Sequence, residues 1–229
     1  MLVRNLRRLG SHTKWLSVLG SLCAVGCVNV STLQTARVLP PGDQMIIIGG
    51  GTSTFAVPTA EVTPENGGLK TTNVAEGMWR IGVIDGLDVG AHVTIPGTSS
   101  VDAKYQFMDM GPWAVAAGLS LGGLQITTSS IATDAKGLTT TTENKFTIFD
   151  VVVPFYVSYD FMEALTGYIS PKFLVRNVSG SGTFLFGGGT GGVKIGDGIG
   201  LMLEASYLKG INDGANDSRQ INAGVYWSR

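Results

Sequence analysis

Charge is what this sequence is short of. Only 14% of its 229 residues are Asp, Glu, Lys or Arg, against roughly 25% in an average soluble protein. The 16 basic and 17 acidic residues nearly cancel. That excludes the basic stripe with which a protein displaces phosphate counterions, so no nucleic-acid partner is expected. Disorder is excluded as well, because it needs high charge and few apolar residues, whereas mean hydropathy here is +0.24. The only cysteines, Cys23 and Cys27, lie four apart near the start. They cannot staple a fold, and no other thiol is available for a metal site.

The equipment for catalysis is equally sparse. The two histidines are His12, in the N-terminal segment ahead of the apolar run, and His92. Asp88 shares a strand face with His92, and Asp102 could approach it from the next strand, so a His–Asp general base is conceivable. A histidine in a polar interior is the simpler reading. No nucleophile elbow is present, and no second histidine supports a metal. The run Gly187-Gly188-Gly189-Thr190-Gly191-Gly192 with Lys194 lacks the Gly-Lys-Ser/Thr spacing of a phosphate loop. Glycine in a tightly curved strand explains it better. No enzyme activity, no cofactor and no metal are expected.

What is present begins with an address. Residues 1–14 carry Arg4, Arg7, Arg8 and Lys14 and no acid, and residues 15–26 read WLSVLGSLCAVG. This apolar run has the length of a signal h-region. It is too short to span a bilayer comfortably, which takes about 20 apolar residues. Gly26 stands directly before Cys27. A small residue before a cysteine at this point resembles the lipobox of bacterial lipoproteins, which implies cleavage before Cys27 and acylation of its thiol. Ala24 stands where that family prefers leucine. Leu22 is too large for cleavage before Cys23. A simple signal peptide or a buried N-terminal helix also fits the apolar run. Cleavage would remove four of the 16 basic residues and none of the 17 acids, leaving a net charge of −5.

Residues 28–43, VNVSTLQTARVLPPGD, are polar and broken at Pro40-Pro41-Gly42. They read as a tether or a lead-in strand. Beyond them nothing repeats at 3.6 residues; what recurs is alternation. Trp79, Ile81 and Val83 oppose Met78, Arg80 and Gly82. After the hairpin dipeptide Asp85-Gly86, Val89, Ala91 and Val93 oppose Asp88, Gly90 and His92. Val101, Ala103, Tyr105 and Phe107 oppose Asp102, Lys104, Gln106 and Met108. The same parity runs through strands near residues 113–122, 149–159, 165–176, 201–207 and 220–227. Two weaker strands lie near 44–57 and 183–195. Pro154 and Pro171 fall inside strands and predict bulges.

That makes about ten strands, with short turns at 85–86, 111–112, 160–163 and 197–198. They alternate with looser connections, among them 58–73, 125–145 and 209–218. This is the grammar of an up-and-down antiparallel transmembrane β-barrel with short periplasmic turns and longer outer loops. The outward face is apolar and uncharged. Charge sits on the other face as Glu76, Arg80, Asp88, Asp102, Lys104, Asp150, Lys172, Arg176 and Glu204, together with His92. A soluble sandwich would alternate in the same way strand by strand. Three features favour the barrel: the unbroken apolar face, aromatics near strand ends (Trp79, Phe107, Trp113, Phe149, Tyr159, Tyr207 and Trp227), and the export signal. The polar face would then be a self-paired network filling the lumen. The small residues Ala114, Ala116, Gly118, Ser120 and Gly122 would leave any gap along the fifth strand.

The chain resembles small bacterial outer-membrane β-barrel proteins, and its start resembles a largely uncharacterised group of barrel lipoproteins. In these an acylated cysteine is followed by a segment of the type STLQTARVLPPG, here residues 31–42. The chain ends Trp227-Ser228-Arg229, where many such barrels end on an aromatic. The resemblance implies a signal peptide over 1–26, a tether over 27–43 from acylated Cys27, and a barrel over 44–229. It implies a location in the Gram-negative outer membrane and no activity. Implied partners are outer-membrane lipid and the barrel-assembly and lipoprotein-sorting machinery, with an extracellular partner most readily met at 58–73 or 125–145. Two roles remain open: a structural or surface-display anchor with a closed lumen, and a narrow channel or carrier for small solutes.

Overall fold

Strands whose two faces differ in polarity must put those faces in different surroundings, and the fold does this by making two concentric surfaces. The computed structural model describes residues 31–56, 69–95, 97–133, 139–212 and 215–229. The strands are β1 (Gln44–Ala56), β2 (Leu69–Ile84), β3 (Leu87–Ile95), β4 (Ser99–Met110), β5 (Trp113–Thr133), β6 (Thr139–Met162), β7 (Leu165–Val178), β8 (Gly182–Asp197), β9 (Ile199–Gly210) and β10 (Ser218–Ser228). Each pairs antiparallel with its chain neighbours, and β1 pairs with β10, so the sheet closes. The seam ends on Gln44 and Arg229, whose backbones exchange two hydrogen bonds of 2.7 and 2.9 Å. Within the ring of described strands, closure leaves no sheet edge, the condition for placing strands in lipid.

The outer surface is apolar. Ile48, Ile95, Val101, Phe155, Ile169, Leu203 and Ile221 stand exposed on it. At the turn end it carries Trp79, Tyr105, Phe107, Trp113 and Trp227. There Trp113 and Tyr159 meet edge to face at 4.7 Å, and Tyr159 meets Phe161 at 5.0 Å. At the loop end the belt gives way to Tyr207, with the Arg219 guanidinium 5.6 Å from its ring centre. Aromatics at both margins of an apolar band suit the two interfaces of a bilayer.

Several expectations need correction. Pro154 and Pro171 make no bulge. The β6–β7 register passes both without a shift, and pairing simply lapses between Pro154↔Lys172 and Val157↔Ile169. Each proline omits a rung and leaves the register intact, and Gly118 leaves room for the Pro154 ring. The real shifts lie next to the turns, at 82/84, 106/108 and 160/162. The shift at 106/108 turns Met108 outward, opposite Val115, whereas unbroken alternation had placed it inside.

Residues 125–133 and 139–145 are strand, not loop. β5 and β6 stay paired up to Thr133↔Thr139, beyond the last β4 pair at Gly123 and the last β7 pair at Ile148. A two-stranded hairpin therefore projects from the ring by about ten residues a side, ~33 Å at ~3.3 Å per residue. Its threonines are polar yet β-branched, and so favour strands. Likewise residues 69–73 belong to β2, and 57–68 lie outside the described residues.

Two outcomes test this architecture. Leu203 is outward on β9, so Leu203→Arg should lower folding stability in lipid by about 2–4 kcal/mol, measured by urea titration of the refolded barrel. Deleting 128–142 joins Thr127 to Glu143 and leaves the pair Thr127↔Lys145 closed by a two-residue turn. The shortened barrel should keep its heat-dependent gel mobility.

Candidate functional site: a lumen filled by the chain itself

The charged residues on the inner face form the ion pairs that a low-dielectric interior demands. Arg80 on β2 is fully buried and holds two acids, Asp88 of β3 and, at 2.5 Å, Asp102 of β4. Lys104 Nζ lies 3.4 Å from Asp88. On β6 and β7, Arg176 and Asp150 form a two-pronged pair with bonds of 2.6 and 2.8 Å. His92 Nε2 meets Glu76 Oε2 at 3.0 Å. The carboxylate against this imidazole thus comes from β2, and Asp88 and Asp102 are engaged by Arg80. Lys172 is buried on β7 in the field of Glu204 and Glu76. Lys194 Nζ sits 4.8 Å from the ring centre of Tyr226.

Glu204 has a different partner. Its register neighbours are Gly192 on β8 and Asn222 on β10, neither of them basic. The carboxylate instead accepts the backbone N–H of Thr32 at 2.8 Å and of Leu33 at 2.6 Å. The Thr32 hydroxyl donates to it at 3.0 Å and Tyr168 at 3.2 Å. Two successive N–H groups converging on one anion make a backbone nest. Leu33 is turned to φ 39°, the one described non-glycine residue with positive φ. Such a conformation costs of order 1–3 kcal/mol and persists only where its surroundings hold it. Here they do: Leu33 is fully buried among Ile47, Met78, Met202 and Tyr226.

Residues 31–42, expected as a tether, therefore run inside the barrel. From Glu204 the segment descends to the turn end. Lys104 Nζ donates to the carbonyls of Thr35 and Arg37, both at 2.9 Å. Gln106 Oε1 accepts from Val38 N at 2.9 Å, and Asp88 from Leu39 N at 3.3 Å. Ala36 is fully buried against Ala114, Ala116 and Tyr156. The small side chains of β5 thus do not leave a gap along their whole length; their lower part makes room for the segment. At the turn mouth Arg37 reaches Asp160 at 2.6 Å and Asp109 at 3.1 Å. Pro41 bridges to Gly82, where a Cβ would lie 2.0 Å from the Pro40 carbonyl oxygen. Gly42, at φ 87°, then turns the chain back into β1.

Above the segment remains a cavity of about 60 Å³. Ser31, His92, Ser120, Gly122, Asp150 and Lys172 are among its walls. It has room for a few waters and for no larger solute.

The geometry is that of bacterial outer-membrane β-barrel proteins. Aligned with the β domain of the Bordetella autotransporter BrkA, 82% of this chain and 100% of that one superpose with a TM-score of 0.52 at 14% identity. An outer membrane channel from Pseudomonas putida F1 aligns over 85% of this chain and 98% of its own at TM-score 0.48 and 8% identity. The translocator domain of the autotransporter NalP from Neisseria meningitidis aligns over 96% and 97% at TM-score 0.41 and 10% identity. No family model matches the sequence, and no curated protein does. The likeness is one of fold.

Glu204→Gln keeps the shape and removes the charge that gathers the two N–H groups. One of them then faces an amide donor, at a cost of about 1–3 kcal/mol. The segment should open more often, and trypsin should cleave after Arg37 roughly 5–100-fold faster, with the barrel band on the gel unchanged. An unaltered cleavage rate would show that Glu204 does not hold the segment.

Proposed function

We propose that this protein is a lipoprotein of the bacterial outer membrane, acylated at Cys27, whose barrel is a closed anchor and not a general porin. The observation that carries this reading is the occupied lumen. A ten-stranded ring is only modestly wider than one that side chains alone can fill. Here residues 31–42 take up the remaining width in the turn half. A solute-conducting pore needs a continuous wet path and commonly a ring of one sign of charge. Arg80, Asp88, Asp102 and Lys104 are instead engaged with one another and with the segment's backbone.

The apolar belt supplies the contact with outer-membrane lipid. Delivery calls for the barrel-assembly and lipoprotein-sorting machinery. Among the described residues we read no lumen group as placed for turnover, and the His92–Glu76 pair as structural. The hairpin of β5 and β6 extends beyond the ring, and an extracellular partner is proposed there or at 58–73.

Purified protein in planar bilayers should show little or no steady conductance. Gly82→Val combined with Glu204→Gln loosens the segment at both ends and should produce frequent openings. Large, stable, ion-selective currents from the wild type would replace the anchor with the channel.

A further inference from the structure

The segment in the lumen has a direction. Pro41 and Gly42 lie at the turn end, beside Gly82. Ser31 lies well up the barrel, its hydroxyl 3.4 Å from Glu76. Glu76 pairs with Thr94, the last residue but one of β3. Going towards the N-terminus, the chain thus climbs away from the turns and towards the loops. On β2 it passes from Gly82 to Glu76, six residues or ~20 Å along the strand at ~3.3 Å per residue.

Cys27 is four residues before Ser31. Fully extended, four residues reach at most ~14 Å. That is too short to return to the level of Gly82, and the way back is filled. Leu33 and Ala36 are fully buried, and Arg80, Lys104 and Tyr156 occupy the rest of that half. In the other direction the wall beside Ser31 is low. β3 has nine residues and β4 twelve, against 21 and 24 for β5 and β6. Thr98, in the connection between β3 and β4, lines the same cavity as Ser31. Outside that rim Val93, Ile95 and Val101 offer an apolar surface.

We propose that the mature chain enters its barrel from the loop side, so that an acyl group on Cys27 lies in the leaflet facing the cell exterior. The part of the proposal that concerns the acyl group rests on the reading of Cys27 as lipidated; the direction of entry does not. Short turns mark the periplasmic end of such barrels and longer connections the outer end. Arg229 closes against Gln44 at the turn end, the side opposite to this entry. The lipid would then be a second attachment to the outer leaflet, next to the lowest part of the rim.

The test uses a ten-residue epitope placed between Val28 and Asn29 of the full chain, detected by antibody on intact cells. The same epitope after Ser181, in the β7–β8 connection, reports the loop side. The same epitope between Asp85 and Gly86 reports the turn side. The Val28 epitope should be bound on intact cells as strongly as the one after Ser181, and the Asp85 epitope only after the outer membrane is permeabilised. A Val28 epitope reached only after permeabilisation, or in neither state, overturns the proposal. Metabolic labelling with a clickable fatty acid is run on the same strains and on Cys27→Ala. A surface epitope without Cys27-dependent label sinks the lipid and leaves the direction of entry standing. Label with a buried epitope does the reverse.

Discussion

A peptide carried inside a barrel brings its own N–H and C=O groups into a place where water is scarce, and each must find a partner. On the outside of the molecule the same demand is met by closing the sheet. On the inside it is met by side chains of the wall. Glu204 takes the N–H groups of Thr32 and Leu33, Lys104 the carbonyls of Thr35 and Arg37, Gln106 the N–H of Val38 and Asp88 that of Leu39. The lumen charges are therefore placed with respect to a backbone as well as to one another. An extended segment can lie here without pairing as an eleventh strand because the wall supplies what a neighbouring strand would have supplied.

This changes the meaning of the balance between inward acids and bases. Taken as composition, it describes a network that neutralises itself. Taken with the register, it divides. Arg80 with Asp88 and Arg176 with Asp150 are ion pairs across adjacent strands, and Arg80 reaches Asp102 over Gly90 of the strand between. Glu204 has no base on either adjacent strand at its own level. Its charge is spent on amide dipoles, and a neutral side chain of the same size could not gather both. The residues that brace the barrel and those that grip the segment share one surface, with Asp88 and Lys104 in both groups.

Alternation made the wall legible in advance. Ten strands, the positions of the tight turns at Asp85-Gly86 and Gly111-Pro112, and the inward set from Glu76 to Glu204 all follow from a period of two and from charge confined to one parity. Three kinds of feature were hidden for physical reasons. Parity says nothing of register, and only register shows that His92 faces Glu76 and that Glu204 has no base beside it on either adjacent strand. A bulge such as that at 106/108 adds one residue and no sequence mark, so Met108 was assigned to the wrong face. Over 125–145 polarity suggests looseness, although a strand beyond the bilayer has reason to be polar and threonine has reason to be a strand. Residues 31–42 are polar and proline-broken, as a tether would be. Their one legible sign was the run of small side chains facing inward on β5, read as a gap when it was the complement of Ala36.

The seam between β1 and β10 opens one simple route by which this molecule can be made. Arg229 meets Gln44, the first residue of the wall, where the seam shuts. Residues 31–42 immediately precede that wall and turn into it at Gly42. They can therefore be laid along the open sheet and enclosed when the seam shuts. By that route the segment is captured, not threaded, and nothing attached ahead of it has to travel through the bore. A bulky group at the N-terminus is no obstacle to such an assembly, whereas a chain that closed its ring first would be left with its own leader outside.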